Sequence, residues 1–288
     1  MTTSRIALYI GNELYPGQGS DPDSTIKQLH ASPLTSPILS LLNQSAPPNQ
    51  QILVYNEKQN PLFNTSGDYL GDKDWPRIIS DLRNGGNIQE VYLSFSTNGT
   101  EYMGNLLNSN KTAAMQILTY IKNDLGFDGI DIDYEYSDFS NTSPLFTLAS
   151  AAIEANLKLT AAPFTFQSSW QDWVNFVQKQ QGTVSWLNLQ CYAGGKTNNP
   201  GDWLSLGVPI VAGSCPNCAN PQTTCTPDNM QALFTLWRTG QGSVPNACWS
   251  GTPNKSAQAI GGGFIWAYGS ISSQFSDYMN ALKIGLGM

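Results

Sequence analysis

Phe127-Asp128-Gly129-Ile130-Asp131-Ile132-Asp133-Tyr134-Glu135 alternates with a period of two along most of its length. Successive side chains of a strand point to opposite faces. Ile130, Ile132 and Tyr134 therefore share one face, and Asp131, Asp133 and Glu135 share the other. The three carboxylates span about 13 Å at roughly 3.3 Å per residue. Buried like charges are costly, and neighbours at this spacing cannot all ionise freely. As structure alone the arrangement is unfavourable. As chemistry it keeps one carboxyl protonated near neutral pH, which is what a general acid requires. Two other readings are a solvated acidic face and a calcium site. The alternating isoleucines argue against the first, and calcium usually draws its ligands from loops around a glycine turn.

Outward from this stretch, seven more strand-like runs appear: RIALYIGN (5–12), QILVYNE (51–57), EVYLSFS (90–96), KLTAAPF (158–164), WLNLQCYA (186–193), VPIVAGS (208–214) and GGGFIWAY (261–268). Helical or loop segments separate them. Strands alternating with helices imply parallel βαβ units, and eight such strands in 288 residues match a closed (β/α)8 TIM barrel. No linker or low-complexity tract interrupts the chain, so one catalytic domain over 1–288 is expected. Ser143-Pro144 is read as the start of one helix. Asp228 is read as the cap of another that ends at Gly240. The acidic run is the fourth strand, and barrel active sites lie at the C-terminal ends of strands, where Glu135 falls.

The third and sixth strands repeat the pattern. Val91, Leu93 and Phe95 oppose Tyr92, Ser94 and Ser96. Leu187, Leu189 and Cys191 oppose Asn188, Gln190 and Tyr192. The apolar faces belong against a helix layer, so the polar faces must line the barrel interior, which is normally filled with branched apolar side chains.

Composition removes several function classes. Net charge is −7 and charged residues make up only 12%, so neither nucleic acid nor an anionic membrane is an expected partner. No run of 18 apolar residues is present. His30 is the only histidine, which argues against Ser-His-Asp, HExxH and His-based acid catalysis together. Acid–base work must then rest on carboxylates, with no cofactor and no metal, and a monomer is expected. MTTSRIALYI lacks the charged and apolar regions of a secretory leader. A secreted protein is still favoured, because four of the five cysteines cluster in a loop at about 213–250. Cys215, Cys218, Cys225 and Cys248 fit two disulfides there, with structural zinc as the alternative, and Cys191 has the parity of a buried free thiol.

Asp128, Asp131, Asp133 and Glu135 also occupy every fixed position of the DxxDxDxE signature, so the chain resembles the family 18 glycoside hydrolases, the chitinase family. IALYIGN, LTAAPF, LNLQCYA and GGGFIWAY are similar to further strands of its plant-type members. The resemblance implies substrate-assisted, retaining cleavage of β-1,4-linked N-acetylglucosamine polymers such as chitin. On this basis Glu135 would protonate the glycosidic oxygen, Asp133 would orient the substrate's acetamido group, Asp131 would share a proton with Asp133, and Tyr192 would hold the acetamido carbonyl. Trp266 would floor the sugar site, with Gln190, Tyr9 and Ser94 as further binding residues and Asp128 as a structural member of the motif. Trp170, Trp173, Trp203 and Trp249 fall in segments where groove subsites form. The family's third strand ends in SxGG, where this chain has Ser94-Phe95-Ser96-Thr97, so Ser96 and Thr97 are expected to reshape the subsite of the reacting sugar. Only about 45 residues separate the last two strands, too few for an inserted α+β domain, which implies a shallow cleft and endo cutting. An endo-β-N-acetylglucosaminidase acting on N-glycans and a non-catalytic lectin on the same barrel remain as alternatives.

Overall fold

The structure, a computed structural model, describes residues 4–17, 19–45, 52–56, 60–135, 139, 141–218, 225–243, 248–254 and 256–288. Its strands are β1 (Arg5–Ile10), β2 (Ser36–Gln44), β3 (Leu53–Tyr55), β4 (Asn60–Phe63), β5 (Tyr92–Ser96), β6 (Gly129–Asp133), β7 (Lys158–Ala161), β8 (Val184–Gln190), β9 (Ile210–Ser214) and β10 (Gly262–Ile265). The helices are α1 (Pro22–His30), α2 (Trp75–Arg83), α3 (Thr97–Ser109), α4 (Lys111–Asn123), α5 (Ser143–Glu154), α6 (Gln167–Lys179), α7 (Pro227–Thr239), α8 (Tyr268–Ile271) and α9 (Phe275–Gly285). Eight strands run parallel in the order β1-β2-β5-β6-β7-β8-β9-β10, and the pairing of β1 with both β2 and β10 closes the ring. This is a (β/α)8 barrel. Among the described residues no helix is long and apolar enough to cross a membrane.

One strand was misplaced by the sequence pattern. The second barrel strand is Ser36–Gln44, not the QILVYNE run. Of that run, Leu53–Tyr55 forms β3, which pairs antiparallel with β2 and with β4 as an arm beside the barrel, while Gln51 and Glu57 lie outside the described residues. The physical reason is burial on both faces. Ser36 to Ser40 are all buried, so β2 shows no alternation, and Pro37 near its start weakens the strand signal further. Two helix caps also move. Thr142, not Ser143, precedes α5. Thr226 caps α7 by accepting the Asn229 N–H, with Pro227 at the first helical position, while Gly240 ends the helix at φ 70° as expected.

The outward faces behave as the alternation predicts. Leu93, Phe95, Ile130, Ile132, Tyr134, Leu187, Leu189 and Cys191 join the apolar layer between barrel and helices. Each isoleucine so buried contributes about 1.5–3 kcal/mol. The motif's Gly129 is required at its site, since a Cβ there would lie 2.3 Å from the Lys158 carbonyl oxygen and 2.5 Å from the Tyr92 ring. A second apolar cluster fills the barrel interior, with Tyr9, Ile38, Tyr92, Trp186, Val211 and Phe264 among its members. The N-terminal end of the ring is sealed by charge. Glu90 accepts from Arg5 at 3.1 Å and from Lys158 at 2.5 Å, and the Arg5 guanidinium lies 4.4 Å from the Trp186 ring centre.

The cysteines of the long loop form two disulfides, Cys215–Cys218 and Cys225–Cys248, which rules out the zinc alternative for those four sulfurs. Cys191 is free and buried. In denaturant without reductant one thiol should react with an alkylating reagent, and all five should react after reduction, as mass spectrometry would show. The native protein should resist labelling.

Burial alone would raise the Glu90 carboxyl, but its bonds to Lys158 and Arg5 outweigh that and hold it below the ordinary value. A depressed carboxylate adds stability above its unfolded value and loses it as pH falls through the folded value. Glu90→Gln should therefore cost about 1–3 kcal/mol near pH 7. It should also remove part of the loss of stability that the wild type shows below about pH 4, when both are followed by urea unfolding.

Candidate active site

The site begins with a charge that has no ionic partner among the described residues. Asp131 is fully buried on the inner face of β6. Its Oδ2 accepts from the Tyr9 hydroxyl at 3.0 Å and the Ser94 hydroxyl at 2.7 Å. Its Oδ1 accepts from the Thr160 hydroxyl at 2.7 Å and from Asn188 Nδ2 at 3.1 Å. The donors come from β1, β5, β7 and β8, so one carboxylate ties together four other strands. The direction of the Asn188 bond is set from behind. The Trp186 indole N–H can only donate, and it donates to Asn188 Oδ1 at 2.7 Å, which turns the amide nitrogen toward Asp131. Burial raises the Asp131 carboxyl, while the bonds from Ser94, Thr160, Tyr9 and Asn188 pull it back without cancelling the rise. Tyr9 keeps its proton. Burial and the charges of Asp131 and Asp133 hold its hydroxyl well above the usual range.

Asp133, two residues on, is less well provided. Burial, then the charges of Glu135 and Asp131, hold its carboxyl well above the ordinary carboxylate range. Gln190 Nε2 is its donor, at 3.2 Å from Oδ1. The same nitrogen lies 2.8 Å from Glu135 Oε1 and 3.0 Å from the Ala162 carbonyl oxygen. Two amide hydrogens thus serve three acceptors, and Asp133 and Glu135 are bridged by a single side chain. Between the two inner acids, Asp133 is the one on which a proton is favoured.

Glu135 itself is exposed, two residues past the end of β6 at the C-terminal mouth of the barrel. Tyr192 follows β8 and is buried to 8% exposure, and burial with the charges of Asp133 and Glu135 raises its hydroxyl well above the usual value. Trp266 follows β10, half-buried, with its ring centre 4.8 Å from that of Tyr9. A row results: Asp131 deep and stabilised by dipoles, Asp133 intermediate and easily protonated, Glu135 open to solvent, with an indole and a phenol nearby.

Asp131, Tyr9 and Ser94 thus form one hydrogen-bonded group, and Asp133, Glu135 and Gln190 form a second beside it on the same strand face, with Tyr192 and Trp266 nearby. Tyr9 and Ser94 touch Asp131 rather than the open cleft. Asp128 sits at the opposite end of β6, where Arg83 binds it at 3.0 and 3.2 Å and its Oδ2 accepts the Val91 N–H at 2.9 Å. Ser96, at the end of β5, serves the backbone. Its hydroxyl donates to the Leu42 carbonyl and accepts the Gly99 N–H, capping α3. Thr97 binds the backbone of the acidic segment instead. Trp170, Trp173, Trp203 and Trp249 are no more than 4% exposed, so they line no groove. Thr160, Asn188 and Trp186 went unassigned in sequence, although inward parity in KLTAAPF and WLNLQCYA marks the first two. His30 Nε2–H donates to the Leu82 carbonyl, 2.9 Å away, in a packing role. Among the described residues no group of three or more His, Cys, Asp or Glu is placed to hold a metal ion.

No protein-family model and no curated protein matches this sequence. Solved structures do match. A GH18 chitinase from Pseudoalteromonas aurantia superposes with a TM-score of 0.62 at 17% identity, covering 98% of this chain and 100% of the other. The catalytic domain of a family GH18 chitinase from the fern Peteris ryukyuensis gives 0.59 at 16% identity, covering 98% and 99%. A fungal endo-β-N-acetylglucosaminidase from glycosyl hydrolase family 18 gives 0.60 at 15% identity, covering 99% and 100%. The chain has the fold of family 18 glycoside hydrolases. At these identities the likeness concerns the fold, and the chemistry rests on the residues above.

Thr160→Val keeps the shape of a buried side chain and removes one donor to Asp131. It should cost about 1.5–3 kcal/mol at pH 7, the worth of a hydrogen bond to a charged group. Because the loss raises the Asp131 carboxyl further, the difference should fade as pH falls and Asp131 is protonated in both proteins, as denaturation across pH would show.

Proposed function

We propose that this protein is a retaining glycosidase of the family 18 type that cleaves β-1,4 bonds between N-acetylglucosamine units, with chitin or its oligosaccharides as substrate. The observation that carries the reading is the Gln190 bridge between an easily protonated Asp133 and an exposed Glu135 at the barrel mouth. Glu135 is the proton donor to the glycosidic oxygen. The 2-acetamido carbonyl oxygen attacks the anomeric carbon as the glycosidic bond breaks, giving an oxazolinium ion. Glu135, now ionised, then takes a proton from the water that opens this ion with overall retention. Asp133 and Asp131 share one proton. With that proton on Asp131, whose carboxyl four donors hold in place, the ionised Asp133 accepts the acetamido N–H and stabilises the positive charge. In this scheme Tyr192 contacts the acetamido carbonyl and Trp266 offers its ring face to the sugar.

An endo-β-N-acetylglucosaminidase reading is favoured by one specific observation, the fungal neighbour that bears that name at a TM-score of 0.60. That chemistry would need the same acids here, with loops shaped for a branched glycan. A lectin would need no protonated acid at the mouth, and the retained Glu135 and Asp133 argue for turnover. Among the described residues α7 is the one helix between β9 and β10, consistent with an open cleft and endo cutting.

Hydrolysis of chitooligosaccharides, with product anomers followed by NMR, tests the proposal. The wild type should release the β-anomer first, and Glu135→Gln should lower kcat by about 10²–10⁴-fold while still binding sugar. Binding without cleavage by the wild type would make the barrel a lectin. Cleavage of a glycoprotein's N-glycans but not of chitooligosaccharides would favour the endoglycosidase.

A further inference from the structure

The strand that carries the acids stops short of the outermost one. β6 ends at Asp133, and its neighbour β5 ends at Ser96 and turns directly into α3. The ladder between them runs from Tyr92 opposite Gly129 to Ser96 opposite Asp133. On the other side, the Ala162 N–H to Ile132 carbonyl bond is the outermost backbone link to β7. The N–H of Glu135 therefore lies beyond both ladders. A side chain satisfies it: Glu135 N–H donates to Thr97 Oγ1 at 2.8 Å. An amide N–H can only donate, so the hydroxyl accepts there, and its own hydrogen points to the Asp133 carbonyl oxygen at 3.5 Å. Thr97 thus joins the backbone at Asp133 to the backbone at Glu135. These are the two residues whose side chains Gln190 bridges from the opposite side.

A further anchor of this segment faces outward. Tyr134 is buried in the outer layer, and its hydroxyl donates to the Asn141 carbonyl at 2.7 Å. That contact fixes residue 134, while the N–H of the next peptide is held by Thr97. A glycine at position 97 would have no group to offer. Its neighbour cannot substitute, because the Ser96 hydroxyl is committed to Leu42 and Gly99.

We propose that Thr97 is a positioning residue that holds the Glu135 backbone so that its carboxyl stays registered with Asp133 and Gln190. The proposal rests on Glu135 being the proton donor only for its effect on turnover. It touches no substrate in this role, and a shift of the reacting geometry by a fraction of an ångström to an ångström is enough to slow proton transfer.

Thr97→Val keeps the β-branched shape and removes both bonds, while Thr97→Ser keeps the hydroxyl. Two readouts separate the claims. By NMR, hydrogen exchange of the Glu135 amide should speed up about tenfold or more in Thr97→Val and stay near wild type in Thr97→Ser. On chitooligosaccharides, kcat should fall about tenfold in Thr97→Val with KM nearly unchanged, and return to within about twofold in Thr97→Ser. An unchanged Glu135 amide in Thr97→Val overturns the proposal, whatever happens to kcat. So does a Thr97→Ser variant as impaired as the valine. If the wild type cleaves nothing, the glycosidase reading fails, and the amide exchange alone still decides whether Thr97 holds Glu135.

Discussion

A carboxylate in the middle of a closed barrel has no water to solvate it, and everything around Asp131 answers that constraint. No cation reaches it among the described residues; Arg5 and Lys158 are spent on Glu90 at the bottom of the ring. Neutral donors from four strands take the place of a counter-ion. Dipoles stabilise a buried charge without cancelling it. The field of Asp131 therefore persists at Asp133, where with burial and Glu135 it favours the protonated form. A lysine in place of Asn188 would offset the charge of Asp131 and remove that contribution, while burial and Glu135 would go on raising Asp133.

The barrel's two apolar layers do different work. The outer one joins strand faces to helices, and the isoleucines between the acids belong to it. The inner one is a plug of aromatic rings, Tyr92 against Trp186 at 4.9 Å and Tyr9 against Phe264 at 5.5 Å, that closes the lower barrel and gives the polar network a dry floor. Trp186 belongs to both systems, since its ring fills the plug and its N–H orients Asn188. Polarity then rises from floor to mouth, ending at the exposed Glu135.

Ser96-Thr97, at the end of β5, shows how the hydroxyls of two adjacent residues can serve backbone groups rather than each other. One caps a helix that starts at the strand's last residue, and the other ties down the backbone of the neighbouring acid.

Period-two alternation made β5, β6 and β8 legible with their inward and outward faces, because each meets apolar packing on one side and polar groups on the other. β2 was not legible, because burial on both faces erases alternation, and LVY a few residues later imitated it. Parity also separated Cys191 from the disulfide cysteines and Asp128 from the inner acids. What parity could not supply was depth and direction. Four tryptophans in segments where groove subsites form are buried, and Tyr9 reaches Asp131 rather than the cleft. The sequence by itself determined the barrel, the acidic face and which side chains point inward, since these follow from local backbone geometry. Only the closed ring decided which inward groups meet, because the donors to Asp131 lie 29 to 122 residues away along the chain and come within hydrogen-bond distance only when β1 pairs with both β2 and β10.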